Sequence, residues 1–449
     1  MARCRPGRRP TERPGEPRGE PRAVRASRCG RAAAAPPPRR ARPSTAPPPF
    51  AARAPRLAPR HDRSTRFRRL VAAVGGKPHD VNARGRARPT RDRPASVEFA
   101  RRGGNRENRH RTERCFDGGV TMRVLVTGGA GYIGSVTAAA LIDAGHEVTV
   151  LDDLSRGHRE FVPDAASLVI GDVSDPGTVH RALDEGLNAC VHFAGRIEAG
   201  ESMRVPETYF AANTGGTLRL LEVLVGAGIE RFVLSSTAAV YGDPVRLPIR
   251  EDDPTEPTNA YGASKLLAER ALEWVSELRP LRVAALRYFN ACGATPDRGE
   301  LHDPETHLIP LVLEVAAGQR DEIAVFGTDY PTRDGTCVRD YVHVADLADA
   351  HVRALEALGG REQLVCNLGG GAGVSVHEVI EAARRVTGHP IPVRTAERRP
   401  GDPAELVASS DRAREVLGWE PHHRDLDAIV ASAWDWHRHR LSDGMTDST

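Results

Sequence analysis

The sequence from Met122 onward predicts an α/β protein: a doubly wound parallel sheet, followed by a smaller mixed α/β domain. Two observations support this fold class. A short apolar strand, residues 123–127, runs directly into a glycine-rich turn and then into a helical pattern. Further apolar strands then alternate with helical patterns as far as about Asn290, which is typical of strands connected by crossover helices.

The turn after the first strand reads Gly128-Gly129-Ala130-Gly131-Tyr132-Ile133-Gly134 and leads into a helix predicted over residues 135–144. Glycine suits such a turn because one position needs a positive φ, the backbone must approach a pyrophosphate, and the helix must pack closely on the strand. The start of the helix then offers unpaired N–H groups to phosphates. This pattern predicts a Rossmann domain in which Gly128, Gly131 and Gly134 bind a dinucleotide.

The second strand, residues 147–151, ends in Asp152, eighteen residues after Gly134. A carboxylate at this place accepts the two ribose hydroxyls of adenosine and repels a 2′-phosphate. The predicted cofactor is therefore NAD and not NADP.

The next elements continue the alternation. Residues 168–173 predict a strand that ends near Asp172, a candidate ligand that could equally cap the following helix. Residues 189–195 predict another strand with a glycine turn, in which we interpret His192 as a packed strand residue. Residues 213–224 predict a helix, and residues 231–237 a strand that ends in hydroxyl side chains.

Tyr261 and Lys265 are the candidate catalytic pair. Their i, i+4 spacing places both side chains on one face of a helix predicted over residues 260–278. A free tyrosine titrates near pH 10, and a neighbouring ammonium together with a positive nicotinamide ring would lower its pKa toward the range of a useful base. Thr237, at the end of the preceding strand, can share the hydrogen bond to a substrate hydroxyl.

Residues 1–121 differ in composition from the rest of the chain. They hold 32 Lys and Arg against 10 Asp and Glu, a net charge of +22, and 17 of the 34 prolines, whereas the remainder carries −19. This composition predicts a disordered extension. It could be a nucleic-acid-binding tail, an organellar transit peptide, or untranslated GC-rich DNA read in frame. A G-rich back-translation just before Met122 favours the third interpretation, so we do not expect a nucleic-acid partner.

Composition also argues against several other classes. No apolar run reaches the length of about 18 residues needed to span a membrane. The seven cysteines are scattered without paired C-x-x-C spacing, which predicts reduced thiols, a cytoplasmic protein and no metal site.

The runs Thr-Gly-Gly-Ala-Gly-Tyr-Ile-Gly at 127–134, Ser-Ser-Thr-Ala-Ala-Val-Tyr-Gly at 235–242 and Tyr-Gly-Ala-Ser-Lys at 261–265 resemble the extended short-chain dehydrogenase/reductases. Residues 286–290, 325–332, 334–343 and 399–403 are similar to the nucleotide-sugar half of the UDP-glucose 4-epimerases within that family. The resemblance covers Met122 to about Arg438. It implies interconversion of UDP-galactose and UDP-glucose through a 4-keto sugar, with bound NAD and with Tyr261 as the base.

The resemblance also implies residue roles. The expected NAD contacts, beyond the glycines, are Tyr132, Ile133, Asp152, Asp172, Val173, Phe193, Ala194, Gly195, Asn213, Tyr261, Lys265 and Phe289. The expected contacts with the UDP-sugar are Thr237, Asn290, His307, Leu308, Ala324, Phe326, Arg339, Arg399 and Asp402. Two arginines suit a diphosphate, and Phe326 offers a ring face for uracil.

Three positions depart from the family pattern. Ile197 replaces a lysine that some members carry near the nicotinamide, His307 replaces an asparagine, and Leu406 stands at the position linked to acceptance of N-acetylated sugars. The alternatives that stay open are 4-epimerases of UDP-N-acetylglucosamine, UDP-glucuronate or a UDP-pentose. A 4,6-dehydratase is a further rival, but Ala238 and Ala239 stand where such enzymes place acids after Thr237.

The predicted domains are a Rossmann domain at 122–290, a UDP-sugar-binding domain at 291–438 and a flexible tail at 439–449. The active site is expected in the cleft between the two domains. The apolar faces of helices 215–226 and 260–278 predict a homodimer through a four-helix bundle.

Overall fold

The computed structural model describes residues 121–183, 186–399 and 402–442. Most of the predicted extension, 1–120, and residues 443–449 of the predicted tail lie outside these ranges. The last helix continues through Ser442, past the predicted domain end at Arg438.

The main sheet has seven parallel strands in the order β10-β6-β5-β4-β1-β2-β3. This doubly wound arrangement confirms the predicted fold class. Its strands are β1 (Arg123–Thr127), β2 (Glu147–Asp152), β3 (Ser167–Ile170), β4 (Ala189–His192), β5 (Arg231–Thr237), β6 (Arg282–Tyr288) and β10 (Gln363–Leu368). The outer strand β10 comes from beyond the predicted boundary near Asn290, so the second half of the chain returns to complete the first sheet.

Helices cover both faces of this sheet. They are α1 (Tyr132–Asp143), α2 (Pro176–Ala182), α3 (Ala199–Ser202), α4 (Pro206–Tyr209), α5 (Thr217–Gly226), α6 (Ala260–Leu278), α8 (Val344–Ala357) and α10 (Asp411–Leu417). Val124 and Val126 of β1 pack with α1 and α8 on one face, while Leu125 packs with α2, α5 and α6 on the other. Because both faces are covered, the strands are apolar throughout and do not alternate.

Two predicted helices have different limits. Helix α1 begins at Tyr132, three residues before the predicted start. The helix predicted over 213–224 is preceded by a π-helix, Phe210–Gly216, and the α-helical part begins only at Thr217. Helix α6 and strands β1 and β5 have the predicted limits.

The second half builds two small sheets against three helices. Strands β7 (Asn290–Cys292), β9 (Val338–His343), β11 (Gly373–Ser375) and β13 (Glu405–Leu406) form one sheet, and β8 (Ile323–Phe326) pairs with β12 (Val393–Ala396). Helices α7 (Leu308–Ala316), α9 (Val376–Thr387) and α11 (Leu426–Ser442) enclose a core around Val312, Val325 and Ile380. Within the described ranges, no helix has both the length and the apolarity to cross a bilayer.

Candidate active site

The glycine turn lies where the strand order reverses. Thr127 of β1 pairs with His192 of β4, so the turns that follow these two strands are adjacent at the carboxyl edge of the sheet. Gly128 has φ +69°, and a Cβ there would lie 2.6 Å from the backbone N of Ala194. A Cβ on Gly134 would lie 2.1 Å from the carbonyl of Gly128. Both glycines are therefore required by the protein's own packing.

Gly131 is different, since its φ of −80° is open to any residue. A Cβ there would meet only the carbonyl of Gly128, at an ordinary 3.4 Å. It precedes α1 without a side-chain cap, so the first N–H groups of that helix have no capping side chain. Such N–H donors at a helix start suit an anion such as a pyrophosphate.

Asp152 ends β2 and is buried. Its carboxylate accepts hydrogen bonds from the backbone N–H of Ala130 at 3.0 Å and of Leu154 at 2.9 Å. Burial raises the pKa of Asp152, although these two hydrogen bonds oppose the rise. Each carboxylate oxygen retains a second lone pair, so ribose hydroxyls can still be accepted.

Asp172 is exposed, and its Oδ1 accepts the backbone N–H of Ser174 at 2.7 Å. It does not cap the following helix, because Asp175 does so by accepting the N–H groups of Gly177 and Thr178. The capping alternative for Asp172 is therefore wrong. Its neighbour Val173 is half-buried and packs against the apolar cluster on the Leu125 face of the sheet.

The loop after β4 is held by Asn213 of the π-helix. The Asn213 side chain accepts from the backbone N of Arg196 at 2.8 Å and donates to its carbonyl at 3.0 Å. It also donates to Ser264 Oγ of α6 at 2.9 Å. These bonds tie the Phe193, Ala194 and Gly195 turn to α6, and give Asn213 a positioning role that the sequence did not predict.

Tyr261 and Lys265 lie on α6, which begins one residue before Tyr261 with Asn259 as its capping residue. Lys265 is buried, and its Nζ donates to the carbonyl of Ser235 at 3.0 Å, near the end of β5. Thr237, the last residue of β5, accepts from the N–H of Ala239 at 3.1 Å, and its hydroxyl is near enough to Tyr261 to affect the pKa of the phenol. The structure thus brings the three predicted catalytic side chains to one edge of the sheet.

The electrostatics of this site differ from the prediction. Burial raises the pKa of Tyr261, the nearby Thr237 hydroxyl opposes the rise, and the Glu198 carboxylate adds to it. Burial also lowers the pKa of Lys265 to about 8, against the opposing effect of Glu269. The protein alone therefore favours the neutral phenol, and an additional positive charge is needed to make it a base at neutral pH.

Sequence reasoning missed Glu198 and Glu269. Glu198 follows the β4 turn and acts electrostatically on both Tyr261 and His307, so it lies between the two halves of the site. Glu269, one turn after Lys265, is buried in a network with Arg287 (2.6 Å) and Ser236. The only signal for Glu269 was its i, i+4 spacing from Lys265 on a helix face.

The predicted UDP contacts form two pairs. Arg339 of β9 is paired with the Asp402 carboxylate and also donates to the carbonyl of Val338 at 2.8 Å. The guanidinium of Arg399 lies 4.1 Å from the ring centre of Phe326. In the structure, an arginine therefore covers the aromatic face that we expected to receive uracil.

The other predicted contacts occupy different elements. Asn290 begins β7, Ala324 lies in β8, and Leu308 begins α7. Phe289 is buried, in a cluster that also holds Ala238 and partly buried Leu406. This cluster joins the end of β5 to the second half. Tyr132 is buried and donates to the carbonyl of Gly293 at 2.6 Å, while Ile133 packs into the core.

His307 directly precedes α7 without a side-chain hydrogen bond to the start of the helix, and its Nδ1 lies 2.8 Å from Glu305 Oε1. Burial lowers the pKa of His307, but Glu305 and Glu300 outweigh burial and raise it to about 9.

Comparison with known proteins gives the family. A model described as the NAD dependent epimerase/dehydratase family matches residues 124–369. A second model, for pyridine nucleotide-disulphide oxidoreductase, matches residues 53–186, which include the glycine turn but not Tyr261.

Relatives support the first match. The UDP-glucose 4-epimerase of Streptomyces lividans is 53% identical over 317 residues, which are 70% of this chain and 96% of that protein. The UDP-glucose 4-epimerase of Corynebacterium glutamicum is 51% identical over 314 residues, 70% of this chain and 95% of that protein. The crystal structure of UDP-glucose 4-epimerase from Brucella ovis in complex with NAD superposes with a TM-score of 0.68 at 44% identity, covering 70% of this chain and 98% of that one. The family resemblance seen in the sequence is confirmed, and this chain belongs to the NAD dependent epimerase/dehydratase family.

Proposed function

We propose that this chain is an NAD-dependent isomerase that interconverts UDP-galactose and UDP-glucose by inverting C4 of the sugar. The observation that carries the proposal is the placement of Tyr261 beside Thr237 at the carboxyl edge of the sheet, with Lys265 one turn farther along α6. Relatives about half identical in sequence bear the name of this activity.

The nucleotide half fits NAD. The uncapped start of α1 beside Gly131 suits the pyrophosphate, and the Asp152 carboxylate suits the adenosine ribose. Lys265 and the turn at Phe193, Ala194 and Gly195 would hold the nicotinamide end. NAD, when bound, supplies a reversible hydride acceptor, so that oxidation and reduction at C4 cancel over one turnover.

Tyr261 would move the proton. Its phenolic oxygen accepts the proton of the sugar 4-hydroxyl while Thr237 holds that hydroxyl, and it returns the proton after the sugar has presented its other face. Because burial and Glu198 both raise the pKa of Tyr261, the Lys265 ammonium and the cofactor's positive ring must together favour the phenolate.

Arg339 and Arg399 would hold the diphosphate. Both guanidinium groups already lie at the substrate half, one beside Asp402 and the other over Phe326. For uracil to stack on Phe326, Arg399 must leave the ring face, and a diphosphate gives it a stronger partner than a ring.

Product separation after incubation with UDP-galactose tests the activity. UDP-glucose as the product, with no net reduction of NAD, supports the proposal. A 4-keto-6-deoxy product would instead indicate a dehydratase; Ala238 and Ala239 after Thr237 leave no acid at that place.

UDP-N-acetylgalactosamine tests the second candidate substrate class. Leu406 is half-buried against the cluster that holds Phe289, near the end of β5. We expect Leu406→Trp to lower turnover of the N-acetylated sugar more than turnover of UDP-galactose, with Leu406→Met as the control. Equal losses on both sugars would remove Leu406 as a specificity residue.

We infer a homodimer from the exposed apolar side chains on α5 and α6. Trp274 is 64% exposed, Leu278 69%, Leu267 49% and Leu218 45%. Helices with such faces pair as bundles in soluble proteins. Light scattering of the parent at micromolar concentration should give a dimer, and Trp274→Glu should give a monomer. A monomeric parent would contradict the inference.

We also propose a cytoplasmic location. The four cysteines within the described ranges, Cys190, Cys292, Cys337 and Cys366, are all buried free thiols, as a reducing compartment favours. Fractionation of the source cells tests this.

A further inference from the structure

A group of metal-ligand side chains lies in the connection between β7 and α7, residues 293–307. One potential ligand atom from each of Glu300, His302 and His307 lies within 4.8 Å of the others. We call these three residues the loop cluster. None of its members is one of the three candidate catalytic side chains, although His307 is also an expected contact with the UDP-sugar.

The members of the loop cluster are partly buried and lie close to one another. The Glu300 carboxylate touches Nδ1 of His302 with one oxygen and lies 3.8 Å from Nδ1 of His307 with the other. The Glu300 side chain is 11% exposed and that of His302 18%. Nδ1 of His302 is buried, and its close polar contact is the Glu300 carboxylate. A carboxylate oxygen and an unprotonated imidazole nitrogen both offer lone pairs, so this contact needs either a shared proton or a shared cation.

Glu305 completes the surroundings. Its Oε1 accepts the backbone N–H groups of Thr306 and His307, each at 2.6 Å, and lies 2.8 Å from Nδ1 of His307. A carboxylate that holds one ring nitrogen of a histidine is the usual outer partner of an imidazole that binds a metal through its other nitrogen, which for His307 is Nε2. Two carboxylates in a partly buried loop also need two positive charges, which two protons or one divalent cation can supply.

The spacing suits a small tetrahedral ion. Zinc bonds of 2.0–2.1 Å place neighbouring ligand atoms about 3.3 Å apart. The ligand atoms now lie within 4.8 Å of one another, so binding an ion would require the Glu300–His302 pair to open and the longer separations to close. Two imidazoles and one carboxylate form a donor set that Zn²⁺ accepts, with the fourth position left for water or another oxygen.

We propose that Glu300, His302 and His307 bind one divalent transition-metal ion of the Zn²⁺ type. The ion ties together a loop of fifteen residues that contacts the nucleotide half at two places. His158 Nε2 lies 3.1 Å from the Leu301 carbonyl, and Arg298 donates to the Phe161 carbonyl at 2.8 Å. Metal binding would therefore hold the start of α7 in place relative to the nucleotide half. The inference does not depend on the proposed activity.

The test is metal binding by the full chain without a histidine tag. Zn²⁺ affinity is measured by competition with a chromophoric chelator, and Co²⁺ is used as a spectroscopic probe of coordination. We expect one more bound equivalent in the parent than in the Glu300→Gln/His302→Asn double variant, with the Co²⁺ absorption of a four-coordinate site. His302→Asn alone should weaken Zn²⁺ binding by at least about 10-fold. Loss of a residue that only holds a metal ligand in place already costs this much, and His302 is proposed to be a ligand itself.

His422→Asn is the matched control, because His422 is an exposed histidine outside the loop cluster. It should bind Zn²⁺ as the parent does. Circular dichroism checks folding, and if His302→Asn does not fold, the isosteric Glu300→Gln carries the test. Added Zn²⁺ should raise the melting temperature of the parent but not that of Glu300→Gln. If parent and double variant bind equally, the loop cluster is a protonated ion-pair group and the proposal is wrong.

Discussion

Replacing Tyr261 with phenylalanine separates the chemistry of the site from its packing. The substitution removes one oxygen and leaves the ring within α6. We expect turnover of UDP-galactose to fall by about 10²- to 10⁴-fold, the range for loss of a general acid–base group. This corresponds to about 2.7 to 5.4 kcal/mol of transition-state stabilisation.

The same substitution should cost less folding free energy than transition-state stabilisation. Tyr261 loses its interaction with the Thr237 hydroxyl, which costs no more than an ordinary hydrogen bond, about 0.5–1.5 kcal/mol of folding free energy. The oxygen of Thr237 still accepts the N–H of Ala239 at 3.1 Å and so keeps one partner. The melting temperature should therefore fall by only a few degrees. NAD should remain bound, because Tyr261 is only one of its predicted contacts and the others, along the glycine turn, at Asp152 and at Lys265, are unchanged.

The assay measures turnover by product separation, bound NAD by chromatography of the denatured protein, and stability by thermal melting. Tyr241→Phe is the control, since the Tyr241 hydroxyl donates to Asn367 at 2.6 Å and accepts from Arg287 at 2.9 Å, away from the proposed chemistry. It should cost more stability than Tyr261→Phe and keep most turnover. Turnover by Tyr261→Phe within about threefold of the parent would refute the assignment of the base.

Three further predictions test the surroundings of the base. Gly131→Ala should weaken NAD binding with little change in the melting temperature of the cofactor-free protein. Gly128→Ala should lower that melting temperature strongly, because its Cβ would lie 2.6 Å from Ala194 N. Equal melting curves for the two variants would contradict this prediction. Glu198→Gln removes a negative charge that raises the pKa of Tyr261, so the acid limb of the kcat/KM profile should move to lower pH, and an unmoved limb would exclude the coupling. Burial lowers the pKa of Lys265 to about 8, below its unfolded value near 10.4, so the unfolded chain binds more protons between these values and stability rises with pH there. The melting temperature of Lys265→Met relative to the parent should therefore be highest below pH 8 and decline toward pH 10, and a constant difference would contradict the buried charge.

Local patterns in the sequence were sufficient for much of the fold. The apolar run of β1, the glycine turn and the acid after β2 act over a few residues, and the limits of β1, β5 and α6 were predicted correctly. The relation between Tyr261 and Lys265 on α6 also follows from helix geometry alone.

Contacts between distant segments required the tertiary structure. Strand β10 pairs with β6, although it follows β6 by some eighty residues in the chain. Part of the second half therefore belongs to the first sheet. The capping of α2 by Asp175 and the role of Asn213 depend on backbone geometry that side-chain patterns do not report.

The sequence by itself determined the fold class, the family and the helix that carries the candidate base, because each depends on residues a few positions apart. Only the tertiary structure decided the electrostatic state of that base. Burial and the carboxylate of Glu198, sixty-three positions earlier in the chain, set the pKa of Tyr261 through space. The loop cluster likewise depends on how Glu300, His302 and His307 fold toward one another, since charge and coordination act over distance in space and not along the chain.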